Sequence, residues 1–328
     1  MTRAVGVVVN PLAGRDIRRL VSEASVLPTQ ERVAVVRRVL RGLAATGADR
    51  VLYLPDVARI NEAAVLGADL PLHCEPLPIR PQGTAMDSIL AGRLLASAGA
   101  AAIVTLGGDG TNRAVARDCG ETPLVPVATG TNNVFSTMID GTFAGLAAGL
   151  LATGVVGPAA VCQRTKRIEV STAAGADFAL IDAAVCLDRF AGARAIWDPG
   201  RITTLVLARA EPWVLGLSSI GGQLQCVGDG DSLGLFVELG PGPAVRAVLA
   251  PGLVLDVPIR NWRPLALGED VWLEAGEGTV ALDGERELTA PGRVRARVCR
   301  SGPLVVDVRA VLARDGPGRD SAGGTRPG

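Results

Sequence analysis

A single lysine, Lys166, stands against 32 arginines in the 328 residues. A Walker-type phosphate loop requires Gly-Lys-Ser/Thr, and no such run occurs, so a phosphate site must be built another way. His73 is the only histidine. One imidazole gives an ordinary zinc site too few ligands, and its place in a Pro-rich loop far from any nucleophile motif argues against a His-based triad. The six cysteines (Cys74, Cys119, Cys162, Cys186, Cys226 and Cys299) lie far apart with no CxxC pair. With no secretory signal in the sequence, they read as reduced, mostly buried thiols of a cytoplasmic protein. No window approaches the ~18 consecutive apolar residues of a membrane span. The longest, from Leu94 to Val104, is divided by Gly99 into a helix end and a strand. Formal net charge is zero and no Lys/Arg stripe occurs, which speaks against nucleic acid as a partner.

What is present is an apolar-rich chain, 48% apolar against 20% charged, long enough for two cores. The first half alternates strand and helix: strands at Val5–Val9, Arg50–Leu54, Ala101–Leu106 and Leu124–Val127, helices at Gln30–Ala45, Thr84–Ala98 and Asn133–Leu151. That rhythm predicts an α/β domain over residues 1–155, a Rossmann-like three-layer unit around a parallel sheet. From about residue 160 short β-rich runs punctuated by Gly and Pro predict a C-terminal β-sandwich domain over 156–312, with one helix at Pro199–Ala210. The Gly/Pro/Arg/Ser-rich tail, 313–328, reads as disordered.

The most informative stretch follows the apolar run Ala100–Val104. It is Gly107-Gly108-Asp109-Gly110-Thr111-Asn112, ahead of a helix. Glycines let the backbone turn sharply and bring N–H groups toward a ligand, and a helix N-terminus behind them favours phosphate. Asp109 is out of place in a pure phosphate cradle. It fits a group that takes a proton from a hydroxyl, or that holds a hydroxyl or cation beside the phosphate. The bland alternative is a tight turn with a solvated carboxylate.

This stretch resembles the GGDGT signature shared by NAD kinases and by diacylglycerol and sphingosine kinases. Asn10-Pro11-Leu12-Ala13-Gly14 is similar to the turn after the first strand of that superfamily, and Gly130-Thr131-Asn132-Asn133 to its second Gly/Asn-rich loop. In the second half, Leu217-Ser218-Ser219-Ile220-Gly221-Gly222 resembles the LSAGG loop of NAD kinases, one residue longer and with Ile220 for Ala. Asp182 keeps the acidic position of their ALNE strand, although Ile181 replaces its Asn. Arg263–Leu267 followed by Ala281–Glu285 is similar to the run that ends NAD kinases, though lipid kinases share the DGE. By itself, Asp283-Gly284 also reads as a type I′ hairpin turn. Taken together the pattern resembles most the X-protein branch found in acetoin-catabolism operons.

The resemblance implies phosphoryl transfer from ATP, with Mg²⁺ or another divalent cation on the phosphates, to the 2′-hydroxyl of the adenosine ribose of NAD. It makes Asp109 the catalytic base and Asn10, Gly107, Gly108, Gly110, Thr111 and Asn112 the phosphate and nucleotide contacts. Thr131, Asn132, Asn133, Asp182, Ser219, Gly221 and Gly222 become NAD contacts, with no residue set aside as a metal ligand. Arg113 reads as a surface residue of the helix after GGDGT, the alternative being a group that stabilises the transferring charge. Asp109 is expected to face the cleft, so that Asp109→Asn alters stability by under about 1 kcal/mol. The partners implied are NAD and ATP, with no nucleic acid and no membrane, and a homo-oligomer is possible. A lipid kinase and a non-catalytic NAD-sensing regulator are the alternatives.

Overall fold

The computed structural model describes residues 3–14, 18–130, 133–172, 175–188, 198–289 and 292–315. The first half runs β1 (Val5–Val9), α1 (Arg18–Val21), α2 (Thr29–Ala45), β2 (Arg50–Tyr53), α3 (Ile60–Leu66), β3 (His73–Pro76), α4 (Ala85–Ser97), β4 (Ala102–Gly107), α5 (Asp109–Ala116), β5 (Leu124–Ala128) and α6 (Gly141–Thr153). Buried on both faces, β1 and β4 read as continuous apolar runs rather than alternating ones, as central parallel strands do. Thr84 caps α4 in a capping box with Asp87, whose carboxylate accepts from the N–H groups of Gln82, Gly83 and Thr84.

The second half contributes β6 (Cys162–Arg164), β7 (Arg167–Thr172), β8 (Gly175–Ala179), β9 (Asp182–Cys186), β10 (Ile202–Leu207), α7 (Leu217–Gly222), β11 (Leu233–Ala250), β12 (Leu253–Ala266), β13 (Asp270–Gly276), β14 (Thr279–Leu282), β15 (Glu285–Thr289), β16 (Gly292–Cys299), β17 (Leu304–Val306) and α8 (Val308–Arg314). Two antiparallel sheets, ordered β12-β11-β10-β9-β14-β15 and β13-β16-β7-β8, face each other. Between them lie Ile168, Val170, Val185, Val206, Leu273, Val280, Val294 and Val298, all buried. The outer face of the larger sheet is covered by α7 through Leu217 and Ile220. An N-terminal parallel-sheet α/β domain and a C-terminal antiparallel sandwich are thus both present.

The first sheet is ordered β3-β2-β1-β4-β5-β17-β6. Its last parallel member comes from the chain's end: Val305 pairs with Leu124 of β5, and α8 then packs on the same core through Val311. In sequence β17 looks like one more strand of the sandwich.

Three expected elements differ. Pro199–Ala210 is not a helix: a 3₁₀ turn at Pro199–Arg201 leads straight into β10, whose Ile202, Thr203, Thr204 and Val206 are β-branched and which sits between β9 and β11. Gln223–Cys226, one of the short runs that read as β in sequence, is instead a turn closing α7, with the N–H groups of Leu224 and Gln225 both donating to Gly221 O. Helix α6 begins at Gly141 rather than at Asn133, because Asp140 is its N-cap and accepts from Thr142 N at 2.8 Å. The extended segment before it serves the site described next. Cys119 and Cys186 are buried and Cys226 is exposed. The expected disorder of the tail falls mostly on 316–328, outside the described residues.

Candidate active site

Strands β1, β4 and β5 lie side by side while the chain's next strand, β2, lies on the far side of β1. In open α/β sheets ligands bind beyond the carboxyl ends of the strands at such a switch point. After β1, Asn10 donates through Nδ2 to Thr111 Oγ1 at 2.9 Å and accepts at Oδ1 from Leu12 N at 2.9 Å. The first two loops are therefore tied side chain to side chain. Asn10 and Pro11 also line a small recess together with Asp56, Thr84 and Asp87. A second tie was not foreseen from sequence. Arg32 of α2, 1% exposed, donates to the carbonyl oxygens of Asn10, Pro11 and Ala13. The signal available was its position on the otherwise apolar stripe Arg32, Val35, Val36, Val39, Leu40, Leu43. We expect Arg32→Met, which fills the volume but leaves those carbonyls unsatisfied, to lower unfolding free energy by at least about 2 kcal/mol. Urea titration measures this, and a change below about 0.5 kcal/mol would show that the turn holds itself.

After β4 the chain turns into α5 through Gly107 and Gly108. A Cβ on Gly107 would lie 2.4 Å from Thr111 Cβ and Oγ1, so the turn closes only on a bare backbone. Asn112, expected at the ligand, points inward. It accepts from Thr105 Oγ1 at 2.6 Å and donates to Gly108 O at 3.0 Å and Ser136 Oγ at 2.8 Å. It is the staple of the turn. Gly110 faces Glu285 at the start of β15, with 3.6 Å between a Cβ built there and Glu285 Oε1. The GGDGT turn and the DGE hairpin meet.

Asp109 opens α5 but does not project into open space as expected. Its side chain is drawn inward, 2% exposed, and accepts from Phe135 N at 2.9 Å and Val134 N at 3.1 Å. The N–H groups of Val134 and Phe135 are thus turned to Asp109 rather than into a helix, while Thr137 N donates to Pro126 O. Burial, reinforced by the Asp283 carboxylate, raises the Asp109 pKa to about 7, against the two backbone donors. A carboxyl poised near neutrality is suited to giving and taking protons.

Asp283 and Gly284, at φ 52° and 73°, form the two-residue turn between β14 and β15, as a type I′ hairpin requires. The turn also delivers a carboxylate. Asp283 accepts from Leu180 N at 2.9 Å and Ile181 N at 2.8 Å, and faces Arg113 Nε at 3.3 Å. Burial pushes its pKa up and Arg113 opposes this. Arg113 is therefore not the surface residue expected: its side chain is 6% exposed because the hairpin and β8 close over α5. It also reaches Asp177 Oδ2 at 3.7 Å and Phe178 O at 3.4 Å.

The remaining predicted residues divide. Asp182, 1% exposed, accepts at Oδ1 from Gly284 N at 3.0 Å and so abuts the same hairpin. Asn133 closes its own loop, exchanging bonds with Gly130 at 3.1 and 2.6 Å. Thr131 and Asn132 lie outside the described residues. Ser219, Gly221 and Gly222 were expected in an open loop. They form the buried helix α7, where Ser219 Oγ is committed to Gly216 O and Val248 O. A Cβ on Gly222 would fall 2.3 Å from the Glu211 carbonyl carbon, so that glycine serves close packing. Among the described residues no group of three or more His, Cys, Asp or Glu could hold a metal ion, and Asp109 and Asp283 are already engaged by backbone donors.

A parallel sheet with a Gly-Gly-Asp-Gly-Thr switch-point turn, met by a hairpin from an antiparallel sandwich, defines a protein of the NAD-kinase fold. Residues 5–154 match the ATP-NAD kinase N-terminal domain, and residues 166–301 match the acetoin catabolism protein X C-terminal domain. Yeast NADH kinase, solved with NADH, shares the fold at a TM-score of 0.51 and 13% identity, covering 99% of this chain and 89% of that one. An NAD kinase from Archaeoglobus fulgidus solved with ATP aligns at a TM-score of 0.43 and 13% identity, covering 95% and 98%. Acetoin catabolism protein X of Cupriavidus necator is 40% identical over 301 residues, 87% of this chain and 84% of that protein. The chain belongs to the acetoin catabolism protein X family.

Proposed function

We propose that the protein is an ATP-dependent NAD kinase that phosphorylates the 2′-hydroxyl of the adenosine ribose of NAD to give NADP. The observation that carries this reading is Asp109, a buried carboxyl with its pKa raised to about 7 at the first position of α5, within the stretch that matches the ATP-NAD kinase domain. Phosphoryl transfer asks little covalent chemistry of a protein; positioning and charge neutralisation dominate. In this reading Gly107, Gly108, Gly110 and Thr111 lay backbone along the phosphates while Asn10 holds the Thr111 hydroxyl in place. Asp109 accepts the proton of the 2′-hydroxyl as that oxygen attacks the γ-phosphorus, and the bond from that phosphorus to the β,γ-bridging oxygen breaks, releasing ADP. Asn133, in the Gly130 loop, and Asp182, beside the DGE hairpin, flank the dinucleotide, with Asp182 on the ribose side. Mg²⁺ arrives with the nucleotide as part of the substrate and neutralises its phosphates. α7 supports this half from behind rather than contacting the ligand.

The reading favours NAD over a lipid because the domain matched is that of ATP-NAD kinases. Incubation of purified protein with ATP–Mg²⁺ and, in parallel, NAD, NADH, diacylglycerol or sphingosine tests it. NADP or NADPH is expected, with no phosphorylated lipid. Phosphorylated lipid without NADP formation would establish the lipid-kinase alternative. Tight NAD binding without turnover would establish the sensor.

A further inference from the structure

We propose that Arg113 is a positioning residue that clamps the two domains across the site: from α5 it anchors Asp283, and Asp283 holds the backbone at Leu180–Asp182. Three observations carry this. Arg113 is buried and its guanidinium spans three points of the sandwich domain, Asp283 Oδ2 at 3.3 Å, Asp177 Oδ2 at 3.7 Å and Phe178 O at 3.4 Å. Asp283 in turn accepts from the N–H groups of Leu180 at 2.9 Å and Ile181 at 2.8 Å, with that of Asp182 at 3.4 Å. One turn further on, at the C-cap of α5, Arg117 pairs with the same Asp177, so residues four apart grip one edge of the sandwich. The contacts thus run from α5 through Arg113 and Asp283 to the start of β9 with Asp182.

The chemistry suits arginine. Its planar fork donates in several directions at once and keeps its charge when buried, which neither an apolar side chain nor lysine does. An apolar residue here would leave Asp283 a buried carboxylate without its guanidinium. A clamp at this point aligns the carboxyl opening α5 with the carboxyl opening β9, each fixed to its own domain. That Asp182 is thereby set against the dinucleotide rests on the NAD-kinase reading; the clamp itself does not.

The test is amide hydrogen exchange on the full chain, with nucleotide affinities in parallel. In Arg113→Met the amides of Leu180 and Ile181 are expected to exchange at least about 10-fold faster relative to those of Val104 in β4 and Ala184 in β9, which report wider opening. Arg113→Lys keeps an amine donor toward Asp283 but loses the planar fork and is expected to show the same pattern in smaller measure, so the result stands even if the methionine variant does not fold. If Leu180 and Ile181 accelerate no more than Val104 and Ala184, Arg113 contributes only general stability and the clamp is wrong. For the affinities, Kd for NAD should rise by about 10-fold while Kd for ATP–Mg²⁺ changes by less than about threefold. Selective exchange at Leu180 and Ile181 in a protein that never binds NAD would uphold the clamp and remove the dinucleotide reading.

Discussion

Asp109→Asn is expected to lower kcat for NAD phosphorylation by at least about 10²-fold, with KM for NAD changed much less. The substitution keeps size and removes basicity, and a base that acts in the transition state contributes little to ground-state binding. Because the carboxyl titrates at about 7, the wild-type rate should rise with pH through neutrality, when Asp109 loses its proton. The variant should lack that limb. Stability should fall by more than sequence alone suggested. The side chain accepts from Val134 N and Phe135 N, and an amide turns one of those acceptors into a donor. An unsatisfied buried N–H costs about 1–3 kcal/mol. The sign with pH follows from the raised pKa. Between about 4 and 7 the folded protein keeps a proton that the unfolded chain has released, so this carboxyl's contribution to stability falls as pH rises through that window. The variant's deficit should therefore be larger at pH 5 than at pH 8, as paired urea titrations would measure. Turnover near the wild-type level would make Asp109 a turn residue and nothing more.

Asp283→Ala should be the most destabilising single change in the site, by about 3–5 kcal/mol, the usual cost of removing one member of a buried ion pair. It takes the inner partner from Arg113 and leaves the amides of Leu180 and Ile181 without an acceptor. The loss should not add to that of Arg113→Met, because both remove the same bond. A double variant should be more stable than the sum of the two single losses implies. Simple additivity in thermal or urea unfolding would show that the two side chains act independently.

Much of this site was legible because it is local. A buried apolar run, three glycines and a helix start within a dozen residues define the strand–turn–helix around Asp109. The Asp283-Gly284 hairpin needs only two residues at positive φ. What was not legible depends on what packs over a residue from far along the chain. Arg113 looks solvated in sequence and is buried only because β8 and the β14–β15 turn close on α5. Ser219, Gly221 and Gly222 look like an open loop, since glycine signals close approach without saying whether a ligand or a neighbouring backbone does the approaching. Here the Glu211 backbone does so at Gly222, and the Leu207 and Leu235 side chains do so at Gly221. The return of β17 to the first sheet rests on one parallel pair, Val305 with Leu124 of β5, that no periodicity reveals.

The most direct measurement follows the phosphorus itself. Purified wild-type protein and Asp109→Asn are given ATP labelled in the γ-phosphate, Mg²⁺ and NAD, and the labelled product is resolved by position. The account predicts label on the 2′-oxygen of the adenosine ribose in the wild type, and at least about 10²-fold less of it in the variant. Equal labelling by both proteins, or label found only on added diacylglycerol or sphingosine, would contradict it.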